Sequence, residues 1–184
     1  MNMLKNTVLI LILSISIYCL GQQYNKASYL ENLVYQHIQT ATIQSNTYLH
    51  GARAVQQNSR LSVATQQLSQ IDAHLEAGQK LEVLAKGQAL LEADPGNLQV
   101  LLRLGIVHLQ QQEHTLAYEH LMTIYQAPNI SASLKTETAW YLALLQAQQK
   151  HWKASQQCLK VVLENYTAYR QSAEELLTEV EERL

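Results

Sequence analysis

Residues 101–125 read LLRLGIVHLQQQEHTLAYEHLMTIY, and residues 140–162 read WYLALLQAQQKHWKASQQCLKVV. Apolar residues recur every three or four positions on both sides of a short polar stretch, so each segment predicts two helices joined by a turn. The large and small residues that carry this pattern are Leu101, Leu104, Gly105, His108, Ala117, Leu121 and Ile124, then Trp140, Leu142, Ala143, Ala154, Leu159 and Val162. A single helix pair cannot bury its apolar face alone, so the pattern predicts pairs stacked into a short solenoid.

The composition fits a helical, globular chain. Of the 184 residues, 47% are hydrophobic and 15% are charged, which provides enough apolar material for a core. The 2 Pro and 6 Gly are few for this length and favour long helices. The formal net charge of −2 argues against a nucleic-acid-binding protein, because such proteins usually carry a strong basic excess.

Helical periodicity continues on both sides of these two segments. Ser28 and Glu31 form a capping-box pattern at the start of a helix predicted over residues 28–44, and residues 45–51 predict a turn. Further helices are predicted over residues 59–77, 81–93, 98–112, 115–125, 133–149 and 152–165, with Ser133 as one cap and Thr167 as the cap of a last helix. That last helix carries five glutamates, which indicate a solvated outer face or, alternatively, an acidic partner surface: Glu174, Glu175, Glu179, Glu181 and Glu182.

The first 21 residues predict an export signal. Lys5 precedes an apolar run over residues 8–17, and Gly21 supplies a small residue for cleavage before Gln22. The predicted organisation is therefore a signal peptide (1–21), an N-terminal helical segment (22–58) and a repeat domain (59–184). An uncut membrane anchor is the alternative, although residues 7–20 fall short of the roughly 20 apolar residues that a spanning helix needs.

The two cysteines indicate no internal disulfide. Tyr18 and Ser16 stand where a lipoprotein signal has a small residue and a leucine, which disfavours lipidation of Cys19. If the signal is removed, only Cys158 remains, and one cysteine cannot form an internal disulfide. Its neighbours Leu159 and Val162 indicate a packed apolar residue.

The offsets in residues 101–125 resemble the tetratricopeptide repeat (TPR), a 34-residue helix–turn–helix unit. Leu101, Leu104-Gly105, His108, Ala117 and Leu121 match its signature offsets, and Pro128 falls one residue early. Thirty-four residues before Gly105 (105 − 34 = 71), Ile71 stands at the glycine position of a weaker copy, which has Gly78 in its turn and Pro95 at its end. A third copy starts near Ser133 and is interpreted as having lost one residue from its turn.

The resemblance implies an all-α fold, a short TPR-like α-solenoid of antiparallel helix pairs with a C-terminal capping helix. It covers residues 59–165 and is specific for fold rather than function. It implies that Gly105 and Ala143 lie where two helices cross closely, with Ala117 and Ala154 opposite them. Only small side chains fit such a crossing.

The sequence contains no recognisable catalytic, cofactor-binding or metal-binding motif. None of the seven His has another His, Asp or Glu three or four residues away, the spacing at which a helix brings two ligands together. HExxH, glycine-rich phosphate loops and GxSxG are absent from the sequence. His108 occupies an aromatic position of the repeat and is predicted to be packed. We therefore expect a protein that is not an enzyme and uses no cofactor.

The resemblance implies that the first helix of each unit lines a concave groove. The predicted partner-binding residues are Leu102, Ile106, Leu109, Gln110, Trp140, Leu144 and Gln148, with Leu68, Asp72 and Leu75 in the first copy. Apolar residues beside amides suit an extended or helical segment of another protein. Two questions stay open: whether the N-terminal helix buries part of this set, and whether Trp140 is an exposed anchor or packs under Tyr169.

The expected function is a protein–protein interaction scaffold or assembly factor in a bacterial cell envelope. Its partner would be a protein or peptide rather than nucleic acid or a small-molecule substrate. The alternative is a membrane-anchored regulatory protein with a TPR-like sensor domain, which would contact the membrane only if residues 1–21 stay uncleaved. A self-assembling structural role is the third possibility. In the first case the protein is exported to the periplasm, and in the second it is anchored facing it.

Overall fold

The computed structural model describes residues 28–41, 59–165 and 167–184, with only the backbone described for residues 59–64. These residues form helices and contain no strand, so the predicted all-α class is confirmed. The helices are α1 (28–39), α2 (Ser59–Glu76), α3 (Lys80–Ala93), α4 (Leu98–Gln110), α5 (His114–Tyr125), α6 (Ala132–Gln148), α7 (Trp152–Leu163) and α8 (Arg170–Glu181). The predicted export segment and the predicted turn at 45–51 lie outside the described residues.

Helices α2 to α7 form three hairpin pairs that stack in order along the chain. Each helix packs against the next one, as short connections require. Helix α4 also contacts both α2 and α6, whereas the corresponding contacts between α3, α5 and α7 are fewer among the described residues. The first helices therefore form an inner layer (α2, α4, α6) and the second helices an outer layer (α3, α5, α7). This packing is that of a short α-solenoid, and α8 packs against α7 at its end.

The turns inside the three pairs share one geometry. Each contains a residue in the left-handed region: Gly78 (φ 68°), Gln112 (φ 62°) and Lys150 (φ 61°). The next residue donates its N–H to the carbonyl five residues back, at 2.8 to 2.9 Å, which closes the inner helix. A side-chain pair spans each turn as well: His74–Gln79 (2.5 Å), His108–Glu113 (2.5 Å) and Gln146–His151 (2.9 Å).

These turns define the spacing of the units as 34 residues and then 38 (112 − 78 and 150 − 112). The four extra residues lie in α6, which has 17 residues where α4 has 13, and they add one helical turn. The third turn has therefore lost no residue, and that prediction is wrong. When the second and third units are aligned on their turns, Ser155, rather than Ala154, takes the position equivalent to Ala117. Ser155 is fully buried, and its hydroxyl donates to the Ala143 carbonyl at 2.9 Å.

Glycine allows two close helix crossings. A Cβ built on Gly105 would lie 3.0 Å from Leu121 Cδ2, so the predicted tight crossing of α4 and α5 is confirmed. A Cβ on Gly87 would lie 2.6 Å from Leu104 Cδ2, which makes the crossing of α3 and α4 closer still. The sequence pattern did not indicate this second site, because Gly87 lies inside a helix without a matching small residue in the other units.

Of the helix caps predicted at Asn97, Ser133 and Thr167, only the first is observed. The Asn97 side chain accepts from the Val100 N–H at 3.2 Å, as its position predicts. Ser131, not Ser133, caps α6: its backbone is extended and its Oγ accepts from the Leu134 N–H. Thr167 does not cap the last helix, because α8 begins at Arg170 after a turn.

Candidate partner-binding groove

Helix α4 is buried around its whole circumference. Ten consecutive residues, from Val100 to Leu109, are buried. A helix in a two-layer solenoid ordinarily exposes to solvent the side that faces away from the other helix of its pair. The partner helix α5 follows the ordinary rule and buries Ala117, Leu121 and Ile124. A further element must therefore cover the inner face of α4.

Helix α1 has the amphipathic surface needed for this cover. Leu30, Val34 and Ile38 are only 1 to 3% exposed, and their spacing of four places them on one face of the helix. Tyr29 and Tyr35 lie on the other side and are almost half exposed. The apolar face of α1 is thus buried against the rest of the molecule.

Contacts from the C-terminal half of α1 locate it on the inner layer. The His37 ring meets the Trp140 ring edge-on, with centroids 5.3 Å apart. Gln110 Nε2 donates to the Ala41 carbonyl at 3.1 Å, and Gln39 Nε2 donates to the Gln110 carbonyl at 3.4 Å. Helix α1 therefore bridges α4 and α6 across the groove, as the open alternative from the sequence allowed.

The N-terminal half of α1 reaches the other end of the groove. The Tyr29 hydroxyl donates to Glu175 on α8, and Glu31 lies 3.6 Å from the Lys150 ammonium after α6. These contacts are exposed to solvent. Helix α1 consequently crosses the inner face from α8 and the end of α6 toward the end of α4.

The predicted partner-binding residues form one surface, but this surface is covered. In the turn alignment, Trp140, Leu144 and Gln148 correspond to Leu102, Ile106 and Gln110. Among the seven, the apolar side chains are buried and the two amides are half-buried: Leu102 0%, Ile106 0%, Leu109 0%, Leu144 0% and Trp140 2% exposed, with Gln110 and Gln148 at the edge. In the first unit Leu68 and Asp72 are half-buried and Leu75 is buried. The inner face is therefore covered rather than open to solvent.

Trp140 is not the exposed anchor that one of the two hypotheses expected. It is 2% exposed and lies between two rings. Tyr169 stacks on it with centroids 5.4 Å apart and an interplanar angle of 16°, and His37 meets its edge. The alternative, packing against Tyr169, is the arrangement observed. The side chain is part of the packed contact between α1, α6 and the segment before α8.

A buried ion pair on the inner face escaped the sequence analysis. Arg103 is 3% exposed and binds Asp72 with two bonds, Nε to Oδ1 at 2.7 Å and Nη2 to Oδ2 at 2.9 Å. Its remaining nitrogen donates to the carbonyl and side-chain oxygens of Gln99. Such bidentate, charge-assisted pairs have a strict geometry. The available signal was the isolated Arg103 in an otherwise apolar helix, but its partner lies in another unit.

Glu137 extends these polar contacts into the third unit. It is 6% exposed, and burial raises its pKa to about 7, against the opposing effects of the Arg103 charge and a 3.4 Å hydrogen bond from the Tyr169 hydroxyl. The Tyr141 hydroxyl lies 3.3 Å from that of Tyr169, and burial raises the Tyr141 pKa well above its usual value. Burial thus shifts the titration of the Glu137 carboxyl from the acidic range toward neutral pH. We call Asp72, Arg103, Glu137, Tyr141 and Tyr169 the inner polar cluster.

The outer layer contains a second feature, a cleft of about 360 Å³ between α3 and α5. His108 is packed, as predicted, and its ring stacks on that of His120 with centroids 5.3 Å apart. Burial and the neighbouring His108 lower the pKa of His120. Throughout the described ranges, no three His, Cys, Asp or Glu side chains converge in a way that could hold a metal ion.

Other properties bear on chemistry and location. Cys158 is half-buried, and burial raises the pKa of its thiol to about 11, so it stays protonated and unreactive at neutral pH. None of the helices described here has the length and apolar character to cross a membrane. Comparisons of the chain with family models, with curated proteins and with solved structures found no match.

Proposed function

We propose that this chain is a non-catalytic, TPR-like binding protein of a bacterial cell envelope, and that its inner face takes an amphipathic helix from a partner protein. The observation that carries the proposal is the seating of α1 on the residues expected to bind a partner. Surfaces that lay a helix into an apolar groove recognise apolar residues at helical spacing, and α1 has this spacing in Leu30, Val34 and Ile38.

Polar groups at the edge of the groove also suit a helix. The last carbonyls of a helix have no hydrogen-bond donor within that helix. The Gln110 side chain donates to the carbonyl of Ala41, just beyond the end of α1. The equivalent amide in the third unit, Gln148, has a buried Oε1 without a hydrogen-bond partner among the described residues. The groove therefore offers apolar area in its centre and amide groups at its rim.

Site-specific photo-crosslinking in cells tests this proposal. A crosslinking residue at position 110 or 148 should capture a protein partner, and the captured peptide should map to one amphipathic segment. Positions 81 and 116 are matched controls, because Leu81 and Leu116 are exposed on the outer helices α3 and α5. Capture from the outer positions alone would place the interaction surface on the outer layer and contradict the proposal.

Export is a separate part of the proposal, and it rests on the sequence of residues 1–21. We expect a mature protein that begins at Gln22 in the periplasmic fraction. Intact-mass measurement of the purified native protein checks this. An uncut Met1 in the membrane fraction would instead support the membrane-anchored regulatory alternative.

A further inference from the structure

We propose that α1 is a built-in competitor for the inner face, and that the partner is an amphipathic helix with the α1 pattern that displaces it. The inference rests on the proposed function, because it names the chemistry of the partner and what limits its access. The pattern consists of apolar residues at a spacing of four, Leu30, Val34 and Ile38, with the His37 ring beside the last of them.

The polar contacts of α1 are of a kind that yields easily. The Glu31 and Lys150 side chains are 66% and 68% exposed, and their charged atoms lie 3.6 Å apart. Exposed ion pairs contribute little to stability because water screens them. The bond from Tyr29 to Glu175 is exposed as well. The apolar face of α1, rather than these contacts, holds it in place.

The length of α1 also favours exchange. The described helix spans residues 28–39, about three turns, and helices this short are marginal in water without tertiary packing. Release of α1 from the groove therefore releases its backbone order too. A longer partner helix that is better formed before binding loses less entropy when it takes the same place.

One polar atom of the groove gains nothing from α1. Gln148 Oε1 is buried and lacks a donor within the described part of the chain, whereas the equivalent Gln110 has amide contacts to α1. A buried acceptor without a partner is costly. A partner helix that places an N–H or O–H donor at Gln148 makes a hydrogen bond that α1 does not make, which gives the partner an advantage at this position.

Covalent attachment works in the opposite direction. Helix α1 belongs to the same chain as the groove, and such attachment raises the effective concentration of one binding module at another. A free helix meets only the fraction of molecules whose groove is open, and its apparent affinity falls by that fraction. Weakening the docking of α1 should therefore tighten the binding of a helix added in trans.

The test uses a fluorescent peptide with the sequence of residues 28–41 and the full chain. The Val34→Glu substitution places a charge on the buried face of α1, and Tyr35→Glu is the matched control on its exposed face. We expect the peptide to bind the Val34→Glu protein at least tenfold more tightly than wild type, with Tyr35→Glu indistinguishable from wild type. A peptide that itself carries Val34→Glu should not bind either protein.

A second variant is used if the Val34→Glu protein does not fold, as loss of its helical circular dichroism signal would show. Val34→Ala removes apolar contact without adding charge, and should tighten peptide binding about threefold. Equal affinity of wild type and the folded variants would overturn the competitor and leave groove binding intact. Absence of binding to every folded variant would overturn the competitor and also the proposed function of the groove.

Discussion

Helices α4 and α5 form one antiparallel pair, yet they differ in how much of their surface is buried. The inner helix is buried continuously from Val100 to Leu109, whereas the outer helix buries one residue per turn, as an amphipathic helix does. The third pair repeats this difference: α6 is buried over most of its length, and α7 buries Ser155, Leu159 and Val162.

The difference follows from what lies on each side. The outer helices pack inward against the inner layer and face solvent on the other side. Helices α4 and α6 pack against the outer layer on one side and against α1 on the other, and they carry Arg103, Glu137 and Tyr141 of the inner polar cluster. Because the inner face buries more apolar surface than the outer layer, we expect its side chains to contribute more to the free energy of unfolding.

The two tryptophans provide the largest expected contrast. Trp140 on α6 is 2% exposed, so Trp140→Ala should lower the free energy of unfolding by about 3–5 kcal/mol. Trp152 on the outer helix α7 is half-buried, with the Arg183 guanidinium 5.9 Å from its ring, and its replacement by Ala should cost much less. Chemical denaturation measures both. Equal losses would contradict the difference between the layers.

The second prediction concerns pH and Glu137. Its pKa is raised from 4.5 to about 7 in the folded protein, so the folded state binds this proton more tightly than the unfolded state. The contribution of this group to the free energy of unfolding is fully present below pH 4.5, and it is lost as the pH rises through 7. At 1.36 kcal/mol per pK unit, the loss is up to about 3 kcal/mol.

Glu137→Gln should remove this dependence of the free energy of unfolding on pH while keeping a hydrogen-bond acceptor for Tyr169. Denaturation of wild type and variant at pH 5 and pH 8 measures this dependence. At pH 8 the free energy of unfolding of the variant should be higher relative to that of wild type than it is at pH 5. Glu82→Gln, on the exposed side of the outer helix α3, is the control and should leave this pH dependence unchanged. If Glu137→Gln also left it unchanged, Glu137 would titrate as an exposed carboxyl does.

The third prediction concerns the contact between the layers. Gly105→Leu should lower the free energy of unfolding by about 1–3 kcal/mol, because even a Cβ at this position would lie 3.0 Å from Leu121 Cδ2. Gln111→Ala, just after the same helix, should have little effect. Matching thermal melts for the two variants would mean that α4 and α5 cross elsewhere.

The smallest effect is expected in the turn that joins an inner helix to an outer one. Gln112 has φ 62°, a conformation that costs a residue other than Gly roughly 1–2 kcal/mol. Gln112→Gly should therefore stabilise the protein by about 1 kcal/mol and make the second turn resemble the first, where Gly78 has φ 68°. Gln111→Gly at φ −89° is the control and should destabilise, as thermal melts would show.

The helices, the pairing of neighbouring helices and the residues of the inner face could be predicted from the sequence. These features depend on residues close along the chain. Apolar side chains three or four apart define a helix face, and a short polar stretch such as that before His114 forces the next helix to turn back. The resemblance to a 34-residue repeat assigned Gly105 to a helix crossing, where only a small side chain fits.

The cover of the inner face and the pairing of its charges could not be predicted in this way, because they join residues far apart along the chain. The bond from Gln39 to Gln110 joins residues 71 apart, and that from Arg103 to Asp72 joins residues 31 apart. Local periodicity showed that α1 and the groove each had an apolar face, but not that these faces would pack together. Which apolar faces pack together depends on the shapes of the two surfaces and on the desolvation of the polar groups buried between them. Both are defined only once the helices are assembled.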